Sequence, residues 1–161
     1  MCIRDREQFD PQLNWGDVEW IKKRWGGKLI LKGIMDAEDA RLAADSGADA
    51  LIVSNHGGRQ LDGAPSSISA LPGIVEAAGR DIEVWMDGGV RSGQDVLKAR
   101  ALGARGTLIG RAFLYGLGAA GEAGVTRALQ IIHKELDVSM AFCGRTRIDD
   151  VGSDILLPGS F

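Results

Sequence analysis

Four short apolar runs punctuate the chain, Lys28 to Gly33, Asp49 to Ser54, Ile82 to Asp87 and Gly106 to Gly110, each bounded by glycine or polar residues. Runs of this length predict strands covered on both faces, the habit of parallel sheets. Between them the spacing turns helical, over Ala37 to Ser46, Ser67 to Ala78 and Gln94 to Leu102, with Asp36 placed to cap the first. The pattern is βαβαβαβ. An internal repeat supports it, because Gly47-Ala48-Asp49-Ala50-Leu51-Ile52-Val53-Ser54 is similar to Gly103-Ala104-Arg105-Gly106-Thr107-Leu108-Ile109-Gly110. In each copy a glycine ends a helix and the next strand begins at once.

Before the first strand, Asp17 to Trp25 predicts a helix with Trp20 and Ile21 on its apolar side. After the last come a short segment from Ala112 to Leu117 and a longer helix from Gly121 to Leu136, on which Leu129, Ile132 and Leu136 are expected to face the core. The tail from Thr146 to Phe161, with Pro158 and Gly159, predicts loose organisation.

Four βα units are half of what a (β/α)8 barrel needs, and such barrels take about 250 residues. The expected fold is therefore α/β, half of a TIM barrel built from four parallel strands with helices. A doubly wound open sheet is the rival, since alternation alone does not separate the two. The polar residues favour the barrel: Lys32, His56, Arg59, Asp87 and Arg91 all stand at or just beyond strand carboxyl ends, where they would converge on one mouth.

Composition narrows the function classes. The chain has 161 residues and a net charge of −3, with no block of Lys or Arg, which argues against a nucleic-acid partner. No apolar run is long enough to span a bilayer and the N-terminus lacks the apolar core of a signal peptide, so the expected location is cytoplasmic; a peripheral place on the inner membrane is kept as a variant that hydropathy does not address. Cys2 and Cys143 have no CxxC spacing and no histidine-rich surroundings, which predicts free thiols and no metal site. Residues 1–8, charged at the start and aperiodic, are expected to be a leader outside the domain that fills 9–161.

The chemistry gathers after the second strand, in Ser54-Asn55-His56-Gly57-Gly58-Arg59-Gln60-Leu61-Asp62. An imidazole takes a proton near neutral pH, and a guanidinium three residues on offers a planar fork for a carboxylate. Together they suggest an acid substrate. Lys32, at the end of the first strand, is suited to hold negative charge on a ligand, against the plainer alternative of a lysine snorkelling past the rim. Asp87-Gly88-Gly89-Val90-Arg91-Ser92-Gly93 leads from strand to helix and Gly110-Arg111 repeats the arrangement, a pair of turns fit for a phosphate through main-chain amides, helix N-termini and two guanidinium groups. Glycine turns with surface arginines are the plainer alternative. Asp62 is placed to orient a neighbouring loop or pair with Arg59. His133 has no partner in view, and Trp15, Trp20, Trp25 and Trp85 are expected to pack.

In this order and spacing, Leu31-Lys32-Gly33-Ile34, the His56 run, the Asp87 run and Gly110-Arg111-Ala112 resemble the FMN-dependent α-hydroxy-acid dehydrogenases and oxidases, over about Phe9 to Leu157. The resemblance is to the family's C-terminal half. It implies oxidation of a small L-2-hydroxy acid of the lactate or glycolate kind to the 2-oxo acid, with FMN as cofactor, His56 as base and Arg59 as carboxylate clamp. It implies FMN contacts from Lys32, Ser54, Asp87, Gly88, Gly89, Arg91, Gly110 and Arg111, a homo-oligomer for the full-length protein, and leaves open whether the electron acceptor is oxygen, a quinone or a cytochrome. The family also uses a tyrosine, a second arginine and an aspartate that orients the histidine, and none has a counterpart here. This chain alone is accordingly expected to be weakly active or inactive. Two rivals stand beside this reading: another FMN- or phosphate-binding barrel enzyme, and a non-catalytic half-barrel serving assembly.

Overall fold

The computed structural model describes residues 12–159; the expected leader and Cys2 lie outside the described residues. Helix α1 (Trp15–Trp25) starts in a capping box, where Asn14 Oδ1 accepts from Gly16 N at 3.0 Å and Asp17 Oδ2 accepts from Asn14 N at 2.9 Å. It ends at Gly26, whose φ of 69° only glycine adopts freely. Then follow β1 (Ile30–Ile34), α2 (Ala37–Asp45), β2 (Ala50–Val53), a short 3₁₀ turn (His56–Gly58), α3 (Ser67–Ala78), β3 (Glu83–Met86), α4 (Gly93–Ala101), β4 (Gly106–Thr107) and the long α5 (Arg111–Phe142).

All pairings are parallel and the order is β1-β2-β3-β4. Each strand lies beside its successor with no reversal of direction across the sheet. A doubly wound sheet requires such a reversal, so the half-barrel is the fold. Leu51, Val53, Val84 and Met86 point outward into a core closed by Ala40 and Ala43 of α2, Leu71, Ile74 and Ala78 of α3 and Ala99 of α4. Small alanines on the helices let them lie close to the branched residues of the strands.

The internal repeat is structural as well. Gly47 and Gly103 both take positive φ, 82° and 100°. Ala48 N donates to Ala43 O at 3.1 Å and Ala104 N to Ala99 O at 3.0 Å, the long hydrogen bond of a Schellman helix end. The next residues, Asp49 and Arg105, then donate to Leu29 O and Val84 O at 2.8 and 2.7 Å and start the following strands.

Three expectations are corrected. Trp20 and Ile21 do not face inward but are 63% and 39% exposed, as is Trp25 at 68%. The inward stripe of α1 is Trp15, Val18 and Lys22; a lysine can occupy it because its ammonium reaches Asp49. Asp49 also accepts from Lys28 Nζ at 2.7 Å and from Leu29 N at 2.8 Å. These three donors, Lys22 foremost, hold its carboxyl far below the usual range, and Asp49 in turn raises Lys28.

Leu129, second, is 50% exposed, while Leu136 and Met140 pack with Leu97, Ala101 and Val151. The two segments expected after β4 run together as α5, broken at Ala120 and Gly121. Its second part crosses α4 at Gly93, where a Cβ would come 2.0 Å from Leu136 N, so only a glycine there admits so close a backbone approach. Third, the tail is ordered: it makes 3₁₀ turns at Ile148–Asp150 and Ser153–Ile155, buries Val151, and is pinned where Asp149 Oδ1 meets Arg100 Nη2 at 3.0 Å.

Candidate active site

β2 delivers the central group. Its last residue is followed by Ser54, fully buried, whose Oγ accepts from Lys32 Nζ at 2.7 Å and from His56 N at 3.1 Å. One hydroxyl thus ties the cation of β1 to the backbone of the histidine. Lys32 Nζ also lies 2.7 Å from Asp87 Oδ2, at the end of β3, and the pair bridges over β2. The other oxygen, Asp87 Oδ1, is buried without a hydrogen-bond partner.

His56 has φ of 56°, and among the described residues no other non-glycine residue has positive φ. Side chains enter this region at a cost of about 1–2 kcal/mol, and such strain clusters where a group must be aimed. Gly57 and Gly58 continue at φ 69° and 71°, turning the chain so that Arg59 returns to the same mouth. The loop is anchored behind: Asn55 N donates to Ser67 Oγ at 3.2 Å and Asn55 Nδ2 to Pro65 O at 3.2 Å.

Lys32, His56, Gly57, Arg59, Gln60, Asp87, Gly88 and Arg111, with Gly110, Leu108, Ile109 and Leu114, line one cleft of about 780 Å³ at the carboxyl ends of the strands. A Cβ at Gly57 would lie 3.7 Å from Arg111 Nη2, so that guanidinium passes over the histidine loop. Gly89 lines a neighbouring cavity of about 310 Å³ with Gly88, Asn55 and Ser67. Ser54 sits beneath the floor. Arg91 is exposed and lines neither space. Asp62 Oδ1 accepts from Gly63 N at 3.1 Å, and among the described residues it pairs with no cation.

The helix end after Asp87-Gly88-Gly89 is not open to an anion. Asp95 Oδ2 accepts from Arg91 N and Ser92 N, each at 3.0 Å, and Glu135 Oε2 accepts from Gly93 N at 2.9 Å. Two carboxylates of the protein already occupy the N-terminal amides of α4. The start of α5 differs: no side chain caps it at Gly110, and it opens beside Arg111 on the cleft. Of the two helix ends, that at Gly110-Arg111 is the one left without a protein carboxylate on its amides among the described residues.

These groups fit FMN. The unpartnered Asp87 Oδ1 is an acceptor suited to a polyol hydroxyl, Lys32 is a cation suited to a ring that gains negative charge on reduction, and the uncapped α5 end suits a phosphate. Gln60, Leu108, Ile109 and Leu114 were not foreseen as cleft residues; their types carry no signal of their own, and only the strand ends bring them there. Ser67 was likewise hidden, since a serine at a helix start suggests only capping. Cys143 is free and exposed, and no group of three or more metal-binding side chains occurs among the described residues. No described helix is long and apolar enough to cross a membrane.

The family profile "FMN-dependent dehydrogenase" matches residues 4–158. L-lactate dehydrogenase of Caulobacter sp. (strain K31) is 55% identical over 148 residues, 92% of this chain and 39% of the relative. That of Chromohalobacter salexigens is 51% identical over 152 residues, covering 94% and 39%. Among solved structures, (S)-mandelate dehydrogenase, described as a monotopic membrane protein, superposes with a TM-score of 0.87 at 42% identity, covering 91% of this chain and 39% of the other. A mandelate oxidase variant with an FMN monooxide adduct gives 0.81 at 46% identity, covering 84% and 43%. The chain thus spans about two fifths of the length of these relatives. With the profile matching nearly its whole length, the chain belongs to the FMN-dependent dehydrogenase family.

Proposed function

We propose that this chain supplies the proton acceptor, the carboxylate clamp and part of the FMN cradle of an enzyme that oxidises a small L-2-hydroxy acid, lactate- or glycolate-like, to the 2-oxo acid. The observation that carries the reading is the shared cleft: His56, Arg59, Lys32 and Arg111 line one space at the strand carboxyl ends. FMN, when bound, supplies the two-electron acceptor. Lys32, Asp87, Gly88, Gly110 and Arg111 hold it, with Ser54 setting the position of Lys32 and Gly89 and Arg91 flanking the same loop. Arg59 grips the substrate carboxylate through its planar fork, which fixes the carbon bearing the hydroxyl. His56 takes a proton from the substrate on a ring nitrogen, and acid–base help of this kind is worth about 10²–10⁴-fold.

The site is partial. Among the described residues no carboxylate forms an ion pair with the His56 ring, so the imidazolium that proton transfer creates has no direct carboxylate partner among them. The chain alone is therefore weakly active at most; separately, the full-length protein is read as a homo-oligomer of the cytoplasm, with a peripheral place on the inner membrane as the variant and the electron acceptor open. Purified chain loaded with FMN and mixed anaerobically with L-lactate or glycolate tests the reading: slow loss of oxidised flavin absorbance, abolished by H56Q, supports it. Bleaching unaffected by H56Q overturns the role of His56.

A further inference from the structure

We propose that Gly33 is the positioning residue of the His56 imidazole, through a bulge in the neighbouring strand that forms the floor on which the ring rests. The inference rests on the reading of His56 as the base and adds what holds that base in place. Neither ring nitrogen of His56 makes a hydrogen bond among the described residues, although its backbone is fixed by Ser54 Oγ at 3.1 Å. Among the described residues, what holds the ring is therefore packing and not a hydrogen bond.

The register between β1 and β2 runs Lys32 with Ile52 and then Ile34 with Val53, so Gly33 is the extra residue of a bulge. It has φ of 102°, and a Cβ built on it would come 2.8 Å from His56 Cε1, 3.4 Å from Nε2 and 3.8 Å from Nδ1. The imidazole thus leans with its Cε1 corner on the bare α-carbon. Ordinary contact needs about 3.5–4.0 Å between carbons, so a methyl group at 33 drives the ring off its seat. The neighbour on the other side, Lys32, is committed to Ser54 and Asp87 and cannot follow. The bulge therefore separates two tasks along one strand: Lys32 holds its ion pair while Gly33, one residue on, leaves room for the base.

The test begins with the unmodified chain, because only His56 and His133 contribute imidazole signals. With isotopically labelled histidine, a nuclear Overhauser effect between the His56 Cε1 proton and the Gly33 α-protons is expected, and H133Q assigns the signals. In G33A the His56 Cε1 proton resonance moves while that of His133 stays. Anaerobic bleaching by L-lactate slows by about tenfold or more, as expected for misplacing a reacting group by the better part of an ångström. The fall in thermal midpoint caused by G33A is smaller in an H56A background, since the clash is then gone and only the strain at positive φ remains. Absence of the Overhauser effect in the unmodified chain overturns the proposal, as does an equal fall in both backgrounds. Should neither G33A chain fold, the first measurement alone decides. A positive Overhauser effect with bleaching indifferent to H56Q leaves the packing intact and removes instead the assignment of His56 as base.

Discussion

Lys32 and Asp87 form an ion pair at 2.7 Å between the ends of β1 and β3, with Asp87 largely sheltered and its second oxygen without a partner. The pair orders the mouth of the half-barrel before any ligand arrives. Removing the cation leaves a sheltered carboxylate uncompensated, so K32M is expected to lower stability by about 1–3 kcal/mol and to weaken FMN binding about tenfold or more. Urea unfolding and flavin fluorescence titration measure the two; unchanged FMN affinity in K32M would remove Lys32 from the cradle.

Arg59 is expected to act on the substrate and not on the cofactor. Replacement by lysine keeps the charge but loses the fork that matches a carboxylate in two places. R59K should weaken the response to L-lactate by about 10–100-fold while FMN affinity stays within about twofold, which concentration-dependent bleaching and flavin fluorescence separate.

At the opposite end of the strands, Asp49 joins Lys22, Lys28 and the Leu29 amide. Its folded-state pKa is depressed, first by Lys22, so its contribution is present above the unfolded value of about 3.9 and is lost as pH falls through the folded value. Lys28 is raised by the same carboxylate; its share is present below about 10.4 and is lost as pH climbs through the folded value. D49N should therefore lower the thermal midpoint most between about pH 5 and pH 10, with the gap to the unmodified chain closing toward strong acid. A constant gap across the acid range contradicts this assignment.

Gly93 carries the crossing of α4 and α5, and a methyl group there would meet Leu136 N at 2.0 Å, too close for side-chain adjustment because the obstacle is backbone. G93A is expected to cost about 3 kcal/mol or more, the upper end for overpacking, and to free the Gly93 amide from Glu135. Thermal unfolding with hydrogen exchange at Gly93 and its neighbours measures both.

β1 and β4 each have one strand neighbour in the described sheet, which leaves two rows of unpaired backbone groups. Ile30, at 53% exposure, lies on the first of them. Such edges recruit further strands, so the chain is expected to associate as its concentration rises. Light scattering across a concentration series checks this, and a monomer that persists at high concentration contradicts it.

Much of this protein is determined by local pattern. The bounds of α3, the Asp36 cap, the paired glycine-ended repeats at Gly47 and Gly103 and the presence of four strands follow from periodicity and glycine chemistry, which act within a few residues; the order of those strands in the sheet, which excludes the doubly wound rival, does not. The placement of Lys32, His56, Arg59 and Asp87 at one end also follows, since a parallel sheet sends every strand's carboxyl terminus the same way, whereas Arg91, expected with them, stands exposed outside the cleft. What only the tertiary structure decided depends on residues far apart along the chain. Lys22 lies inward because Asp49 awaits it, and Trp20 outward in consequence. The α4 helix end is closed because Glu135 arrives from α5. Gly33 matters because a strand slip brings a histidine against it. Local spacing carries no record of such meetings, because each depends on which distant surface closes the contact.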